Sequence, residues 1–305
     1  MNKSVVADVY GGLGNQLFQY AMARNLADRL GGELYLDLSW FGISGEELVS
    51  ANVTPRKFQL NFFETRFRNL TDEVRRRYSD YFGLYRKLLG RMGVPQKVTR
   101  FYEKKLFEFQ KLPNTKKSEI LLVGGYWQNL GYIDEDISVL RRDLKLKREY
   151  RGPVDLLLKD DSAKNALGIH IRKGDYVSNR EVGQIHGICS EEYFINALRV
   201  FEKAKDIKTI HIFSDDPEFV PDFLRNRRER IVKVSSFGLS DVQEFELMRN
   251  FPNLILSNSS YSWWAGFANE NPVAKVVAPV PWFDAYPVES TRLIPSYWTR
   301  VAKNA

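Results

Sequence analysis

Leu254–Asn271 reads LILSNSSYSWWAGFANEN. Its first three residues, Leu254-Ile255-Leu256, form a short apolar run of the kind that makes a buried parallel strand. Small polar residues follow, from Ser257 to Ser260, and then Tyr261–Phe267 can wind as a helix with Ser262 near its start. A strand that feeds a hydroxyl-rich turn at a helix N-terminus is a natural anion site, because unbonded backbone N–H groups and the helix dipole converge there. The same pattern also describes an ordinary serine cap above two core tryptophans, Trp263 and Trp264. What precedes and follows this stretch decides between the two readings.

From residue 153 onward the chain alternates. Apolar strands are expected at Leu167–Ile171, Thr209–Phe213, Ile231–Val234, Leu254–Leu256 and Val276–Ala278, with helices at Glu191–Lys203, Glu218–Arg228, Asp241–Asn250 and Trp263–Asn269. That alternation predicts a parallel sheet wound in the Rossmann manner. Ligands of such sheets sit outside the carboxyl ends of the strands, and polar motifs fall there. His170-Ile171-Arg172-Lys173-Gly174-Asp175-Tyr176 follows the first strand. Strand alternation puts His170 and Arg172 on one side, and the planar fork of Arg172 suits a phosphate. An Arg172–Asp175 ion pair is the plainer alternative. Ser214-Asp215-Asp216-Pro217 follows the second strand, where the aspartates suit a helix start better than a metal. One of Glu244 and Glu246, early in the next helix, is expected to face the ligand.

The amino-terminal half begins with a strand at Ser4–Tyr10, the loop Gly11-Gly12-Leu13-Gly14-Asn15-Gln16, a helix from Leu17 to Leu30 and a strand at Glu33–Leu38. The glycine spacing is not that of a dinucleotide loop, and a P-loop lysine is missing. Asn15 and Gln16 bring two amides to the helix start, as ligand donors or as a plain cap. A further strand, Glu119–Val123, leads into Gly124-Gly125-Tyr126-Trp127-Gln128, whose aromatic pair suits either a sugar platform or a core. Tyr132–Leu146 reads as a helix, and Arg151-Gly152-Pro153 as a linker. Two domains are therefore expected, 1–152 and 153–305, with a last helix free to pack back on the first.

At 305 residues, 44% hydrophobic and 13% aromatic, the chain can build two cores. A single cysteine, Cys189, excludes an internal disulfide and lacks metal-ligand companions. The start, MNKSVVADVYGG, does not resemble a signal peptide, and no apolar run reaches membrane-spanning length. A soluble cytoplasmic protein is the expectation. Of the net charge of +7, more than all resides in residues 66–117, which carry 15 Lys/Arg against 5 Asp/Glu among many aromatics. A solvated face on amphipathic helices is the favoured reading. Peripheral contact with an anionic inner membrane surface is the other, and nucleic acid is set aside.

Gly-Gly-Leu-Gly-Asn-Gln-Leu-Phe-Gln-Tyr-Ala at 11–21, the 170–176 segment, Phe-Ser-Asp-Asp at 213–216, Glu244–Met248 and Ser-Asn-Ser-Ser-Tyr-Ser-Trp-Trp-Ala at 257–265 together resemble the α-1,2-fucosyltransferases of glycosyltransferase family 11, in the family's motif order. Residues 40–115 carry no recognised motif. The resemblance implies a GT-B α/β fold of two facing Rossmann-like domains with a donor–acceptor cleft. It also implies GDP-L-fucose as donor, inversion at the anomeric carbon, no metal or other cofactor, and a galactose-terminated oligosaccharide acceptor. A bacterial enzyme of surface polysaccharide or O-antigen synthesis is the implied setting.

By motif matching, Arg172 would hold the β-phosphate beside His170. Asn258, Ser259, Ser260, Ser262 and the helix start would hold the pyrophosphate, Glu244 would read guanine, and Asp215 and Asp216 would lie at the nucleoside edge. Gly12, Gly14 and Asn15 would bind the donor, with Asn15 facing the reacting centre, and Tyr126 and Trp127 would be acceptor contacts. The base that takes the acceptor proton is Asp175 or Glu181, with His186 a further candidate. A fucosyltransferase of other linkage, α-1,6 or protein-directed, and a non-catalytic sugar-nucleotide binder are the alternatives. The sequence leaves the acceptor glycan and the oligomeric state open.

Overall fold

The computed structural model describes residues 3–79, 98–115, 119–133, 137–160, 165–172, 180–202, 207–271 and 273–304. Two compact units result, one of Met1–Asn61 with Thr65–Asp136 and one of Phe62–Glu64 with Ile137–Ala305. The first contains β1 (Ser4–Asp8), α1 (Leu13–Leu30), β2 (Glu33–Asp37), α2 (Gly45–Ser50), β3 (Arg68–Asn69), α3 (Asp72–Ser79), β4 (Val98–Tyr102) and β5 (Ile120–Gly124). Its strands form one sheet in the order β3-β2-β1-β5-β4, with every pairing parallel. A parallel sheet needs cover on both faces, and the strands read accordingly: Val5, Val6 and Ala7 of the central β1 are buried, as are Ile120–Val123 of β5.

Helix α1 starts at Leu13, earlier than the Leu17 its apolar spacing predicts. Gly12 is the extended N-cap, its carbonyl accepting from Asn15 N at 3.0 Å and Gln16 N at 3.1 Å. Gly11 before it adopts φ +78°, and a Cβ there would meet Asn15 Nδ2 at 3.0 Å. The glycines thus form the helix start itself, and Gly14 is buried inside the helix.

In the second unit come α4 (Ser138–Asp143), α5 (Arg148–Lys159), β6 (Ala166–Ile171), α6 (Arg180–His186), α7 (Glu191–Arg199), β7 (Thr209–Ser214), β8 (Arg230–Lys233), α8 (Asp241–Met248), β9 (Asn253–Ile255), α9 (Ser260–Phe267), β10 (Lys275–Val280) and β11 (Thr299–Ala302). The sheet order is β11-β10-β9-β6-β7-β8, again with every pairing parallel. From β6 the chain winds outward through β7 and β8, returns, and winds the other way through β9, β10 and β11. This is the doubly wound order, and the reversal lies between β6 and β9.

Several local expectations are corrected. Arg151-Gly152-Pro153 lies inside α5 and is no linker. Burial of Val154, the Arg151 bridges to Asp155 and Glu246 (each 3.2 Å) and the Gln243 Nε2 donation to Tyr150 O at 2.9 Å hold the helix despite its Gly-Pro. Packing outweighs propensity here. The expected helix at Glu218–Arg228 is a single 3-10 turn, Asp222–Leu224, entered from the extended Pro221. The Tyr132–Leu146 segment is a 3-10 turn, Leu130–Tyr132, followed by α4. The chain ends on β11 at the edge of the second sheet, where a last helix was expected. Part of the basic 66–117 segment, residues 80–97 and 116–117, lies outside the described residues.

One side chain ties the second unit together. Arg249 is fully buried, and its Nη1 donates to Leu144 O at 2.6 Å and to Glu246 Oε2 at 3.0 Å, while Nη2 reaches Arg141 O and Ala268 O at 3.2 Å and Glu270 Oε1. It joins α8 to the end of α4 and to the residue after α9. Removing one member of a buried ionic network leaves uncompensated charge, at a cost of about 3–5 kcal/mol. Arg249→Met is expected to lose stability on that scale, read as a lower urea midpoint with an unchanged slope.

Candidate active site

The reversal beside β6 brings two loop starts together. β6 pairs with β9 on one side and with β7 on the other. Arg172 leaves β6, Asp215 leaves β7, and the Ser257–Ser259 turn leaves β9 for α9. Arg172 Nη1 pairs with Asp215 Oδ2 at 3.0 Å, both side chains 21% exposed. Asp215 therefore orients the arginine across neighbouring strand ends. Asp216 closes its own turn, accepting Glu218 N at 3.3 Å while its N–H bonds Ser214 Oγ. Asp175, the alternative ion-pair partner, lies outside the described residues, as does the side chain of Glu181, whose backbone belongs to α6.

His170 joins the two central strand exits, its Nδ1 lying 2.6 Å from Ser257 Oγ. Its ring is tilted over Tyr261 at 5.7 Å. Burial, then the Arg172 charge, pushes its pKa down to about 3, so the imidazole is neutral. It acts as a clip between strands, contributing no positive charge.

The α9 start differs from expectation in one respect. Ser262 is fully buried, and its hydroxyl donates inward to Ser257 O and Ser259 O, both at 3.2 Å. Asn258 is likewise committed to the protein. Its Nδ2 donates to His186 O at 2.7 Å and Gly187 O at 3.0 Å, and its Oδ1 accepts the Cys189 thiol at 3.6 Å. Ser259 caps the helix through its backbone with no side-chain cap bond, and Ser260 and Tyr261 begin it. With these side chains committed to the protein, what an α-helix start can still offer here is the backbone amides of its first turn, which lack intrahelical acceptors. Trp263 and Trp264 are core, with Trp263 Nε1 donating to Leu293 O at 2.8 Å.

Helix α8 supplies the carboxylate. Glu246 is buried against Arg249 and Arg151 and is structural. Glu244 lies toward Tyr261, whose hydroxyl donates to Asp241 O at 2.6 Å. Burial, then the nearby Asp241, pushes the Glu244 carboxyl up to about 7. His186, the remaining base candidate, ends α6 with its ring edge-on to Phe283 at 4.4 Å and its carbonyl held by Asn258 and by Lys303 Nζ, 2.7 Å each.

In the first unit the sequence reading and the structure part more widely. Gln16 is fully buried and wholly structural, donating to Gly11 O at 2.8 Å and Lys57 O at 2.9 Å and accepting Gln59 N at 2.9 Å. Asn15 is half-buried, its Oδ1 accepting Gln128 Nε2 at 3.0 Å. Trp127 is no acceptor platform: at φ +57° and 1% exposure it stacks on Phe101 at 5.1 Å in the core. Tyr126 is 38% exposed and meets Tyr10 edge-on at 5.2 Å. Sequence reasoning passed over Asp8, Tyr10, Gln19 and Glu103, which gather around that pair. Only the position of Asp8, Tyr10 and Glu103 at or after strand ends could have signalled it, and nothing marked Gln19 inside α1.

Residues 104–289 match the family model of glycosyl transferase family 11. The chain belongs to glycosyl transferase family 11. It is similar to an alpha-1,2-colitosyltransferase of Escherichia coli, 27% identical over 304 residues that span 98% of this chain and 99% of the relative. The O-antigen biosynthesis glycosyltransferase WbnK, also of Escherichia coli, is 29% identical over 296 residues, 90% of this chain and 93% of its own. Among solved structures, Arabidopsis thaliana FUT1 bound to GDP superposes with a TM-score of 0.53 at 12% identity, over 91% of this chain and 70% of that one. POFUT1 in complex with GDP-fucose gives 0.52 at 11%, over 91% and 97%. These likenesses show the fold: a GT-B-like α/β architecture with two parallel sheets. Among the described residues, no helix is long and apolar enough to cross a membrane, and no cluster of three His, Cys, Asp or Glu could hold a metal.

Glu244 gives the site a stability signature. The unfolded chain releases this proton in the ordinary carboxylate range, whereas the folded protein holds it to about 7. Stability present below the unfolded pKa is therefore lost as pH rises toward 7. Glu244→Gln, neutral throughout, should melt higher than the parent at about pH 8 and equal it below about pH 4, as thermal denaturation across pH will show.

Proposed function

We propose that this family 11 glycosyltransferase moves L-fucose from GDP-β-L-fucose to the 2-hydroxyl of a terminal galactoside, with inversion, in surface-polysaccharide or O-antigen synthesis. The observation that carries the reading is that Arg172 and the α9 N-terminus leave neighbouring strands at the β6/β9 reversal. Breaking the bond from C1 of the sugar to the β-phosphate oxygen leaves negative charge on GDP and cation-like charge on the ring. A guanidinium has five N–H donors, so an arginine steadied by Asp215 through Nη1 can also present a fork to phosphate. With the helix-end amides it stabilises the departing diphosphate, where charge grows in the transition state. These groups do what a divalent cation does in other transferases, and transfer is expected to persist in EDTA.

Glu244 would accept the N1–H and 2-amino protons of guanine. That pairing needs the ionised carboxylate, so GDP affinity should fall as pH drops below about 7. The acceptor hydroxyl attacks C1 from the face opposite the phosphate, and its proton passes to one of the carboxylates nearest Arg172 in sequence, Asp175 or Glu181. Converting each to its amide and measuring transfer at saturating GDP-fucose assigns the base.

A second donor is favoured by the colitosyltransferase relative. Colitose is L-fucose without the 3-hydroxyl, so the same diphosphate and guanine contacts would serve either sugar. Incubating the protein with each GDP-sugar and methyl β-galactoside, then determining the linkage of the product by NMR, separates the readings. Fucose α-1,2-linked to galactose supports the proposal, and another linkage or no transfer overturns it. Arg172→Ala should lower kcat/KM by about 10²–10³ with the fold intact. Arg172→Lys should recover little of that, because an ammonium lacks the fork; near-parent rates would remove Arg172 from the phosphate.

A further inference from the structure

The β9–α9 turn is held through a lysine that no motif marks. Lys303 follows β11 and is fully buried. An ammonium has three donors, and each has an acceptor here. Nζ donates to His186 O at 2.7 Å, pairs with Asp284 Oδ1 at 2.7 Å and reaches Trp282 O at 3.5 Å. We propose that Lys303 is a positioning residue for the diphosphate site: it fixes residues 186–189, against which the Ser257–Ser259 turn is bonded. The effect on the turn stands on geometry, and its consequence for a diphosphate rests on the proposed donor reading.

Lys303 and Asn258 grip one atom. His186 O accepts both Lys303 Nζ and Asn258 Nδ2, each at 2.7 Å. Asn258 also donates to Gly187 O at 3.0 Å and accepts the Cys189 thiol at 3.6 Å. It is the middle residue of the turn, so the position of 186–189 decides where the turn lies, and with it the first amides of α9. The backbone of Lys303 reaches the other end of the same segment: its carbonyl accepts Ser190 Oγ at 3.0 Å, and that hydroxyl caps α7 by accepting Tyr193 N at 3.1 Å.

Carbonyls at a helix end carry partial negative charge and lack intrahelical donors. The end of α6 meets this need with side chains from two other strand exits. Gly187 makes the approach possible. It adopts φ +66°, and a Cβ there would lie 1.8 Å from Asp284 Oδ2 and 2.8 Å from Lys303 Nζ, so a residue with a side chain would push the ion pair off the segment. Holding β11 is a separate matter, because that strand already pairs with β10 from Val277–Thr299 to Val280–Ala302. The Lys303 side chain adds contacts to α6 and to the chain leaving β10.

Hydrogen exchange on the full chain tests the proposal. The double variant Lys303→Met/Asp284→Asn removes both charges together, so neither is left buried without its partner. Without ligand, the amides of Gly187 (bonded to Gly183 O at 2.8 Å) and Ser259 (bonded to Ser257 O at 2.8 Å) should exchange at least about tenfold faster than in the parent. The Arg249 amide, bonded to Phe245 O at 3.0 Å, should keep its rate. GDP should bind about tenfold more weakly by calorimetry, because the loosened turn must be ordered on binding.

Faster exchange at all three amides would mark a general staple, and faster exchange at Gly187 with Ser259 unmoved would cut the link to the turn. Either result overturns the proposal, as does unchanged GDP affinity. If the double variant fails to fold by circular dichroism, Gly187→Ala, which drives a methyl into the ion pair, carries the test with the same expected pattern. A parent protein that binds no GDP would sink the donor reading, and the exchange rates would still decide whether Lys303 positions the turn.

Discussion

In a sheet whose strands all run one way, every carboxyl end lies on one edge, and a reversal of winding leaves one gap there that no connecting helix covers. The second unit places its reversal between β6 and β9. The rest of the site follows from that constraint. β6 delivers Arg172, β7 delivers the aspartate that steadies it, and β9 turns directly into α9. The His170–Ser257 bond at 2.6 Å fixes the two exits against each other. Asn258 and Lys303 then hold the end of α6 beside the same turn. Geometry that in isolation would be a serine cap thus lies on the strand next to the one that delivers an arginine.

The site carries its charge under tension. His170 is forced neutral, so Arg172 is the cationic side chain at the strand exits described here. Glu244 is held partly protonated by burial and by Asp241. A carboxylate kept so by its surroundings gains when a ligand's N–H groups replace water, and that gain can be spent on binding. Such tension costs stability, as functional sites commonly do.

Much of the architecture was legible in Leu254–Asn271 and in the alternation around it, because parallel strands buried on both faces read as apolar runs. The strand, turn and helix there fall within a residue or two of expectation, and so do the strands carrying Arg172 and Asp215. The failures share one physical origin: local pattern places a residue on an element and does not say what the neighbouring element offers. Ser262 sits at a helix start, yet its hydroxyl is consumed by the turn beneath it. Gln16 and Gln19 are three residues apart on α1. The first serves three backbone groups, and the second holds Tyr10. Glu244 and Glu246 were equivalent until Arg249 and Arg151 claimed the latter. Gly152-Pro153 reads as a break and is overridden by packing against α8. Asp8, at the end of an apolar strand, had no motif to mark it.

The claim on which the account rests is that a nucleoside diphosphate binds at the β6/β9 reversal. Transverse-relaxation-optimised ¹⁵N NMR of the protein titrated with GDP measures this most directly. The account predicts that the largest shifts fall on the backbone amides of Tyr261 and Ser262 and on the Arg172 guanidinium, saturating together with a single affinity. Shifts confined to other segments, with these groups unmoved at saturation, would contradict it.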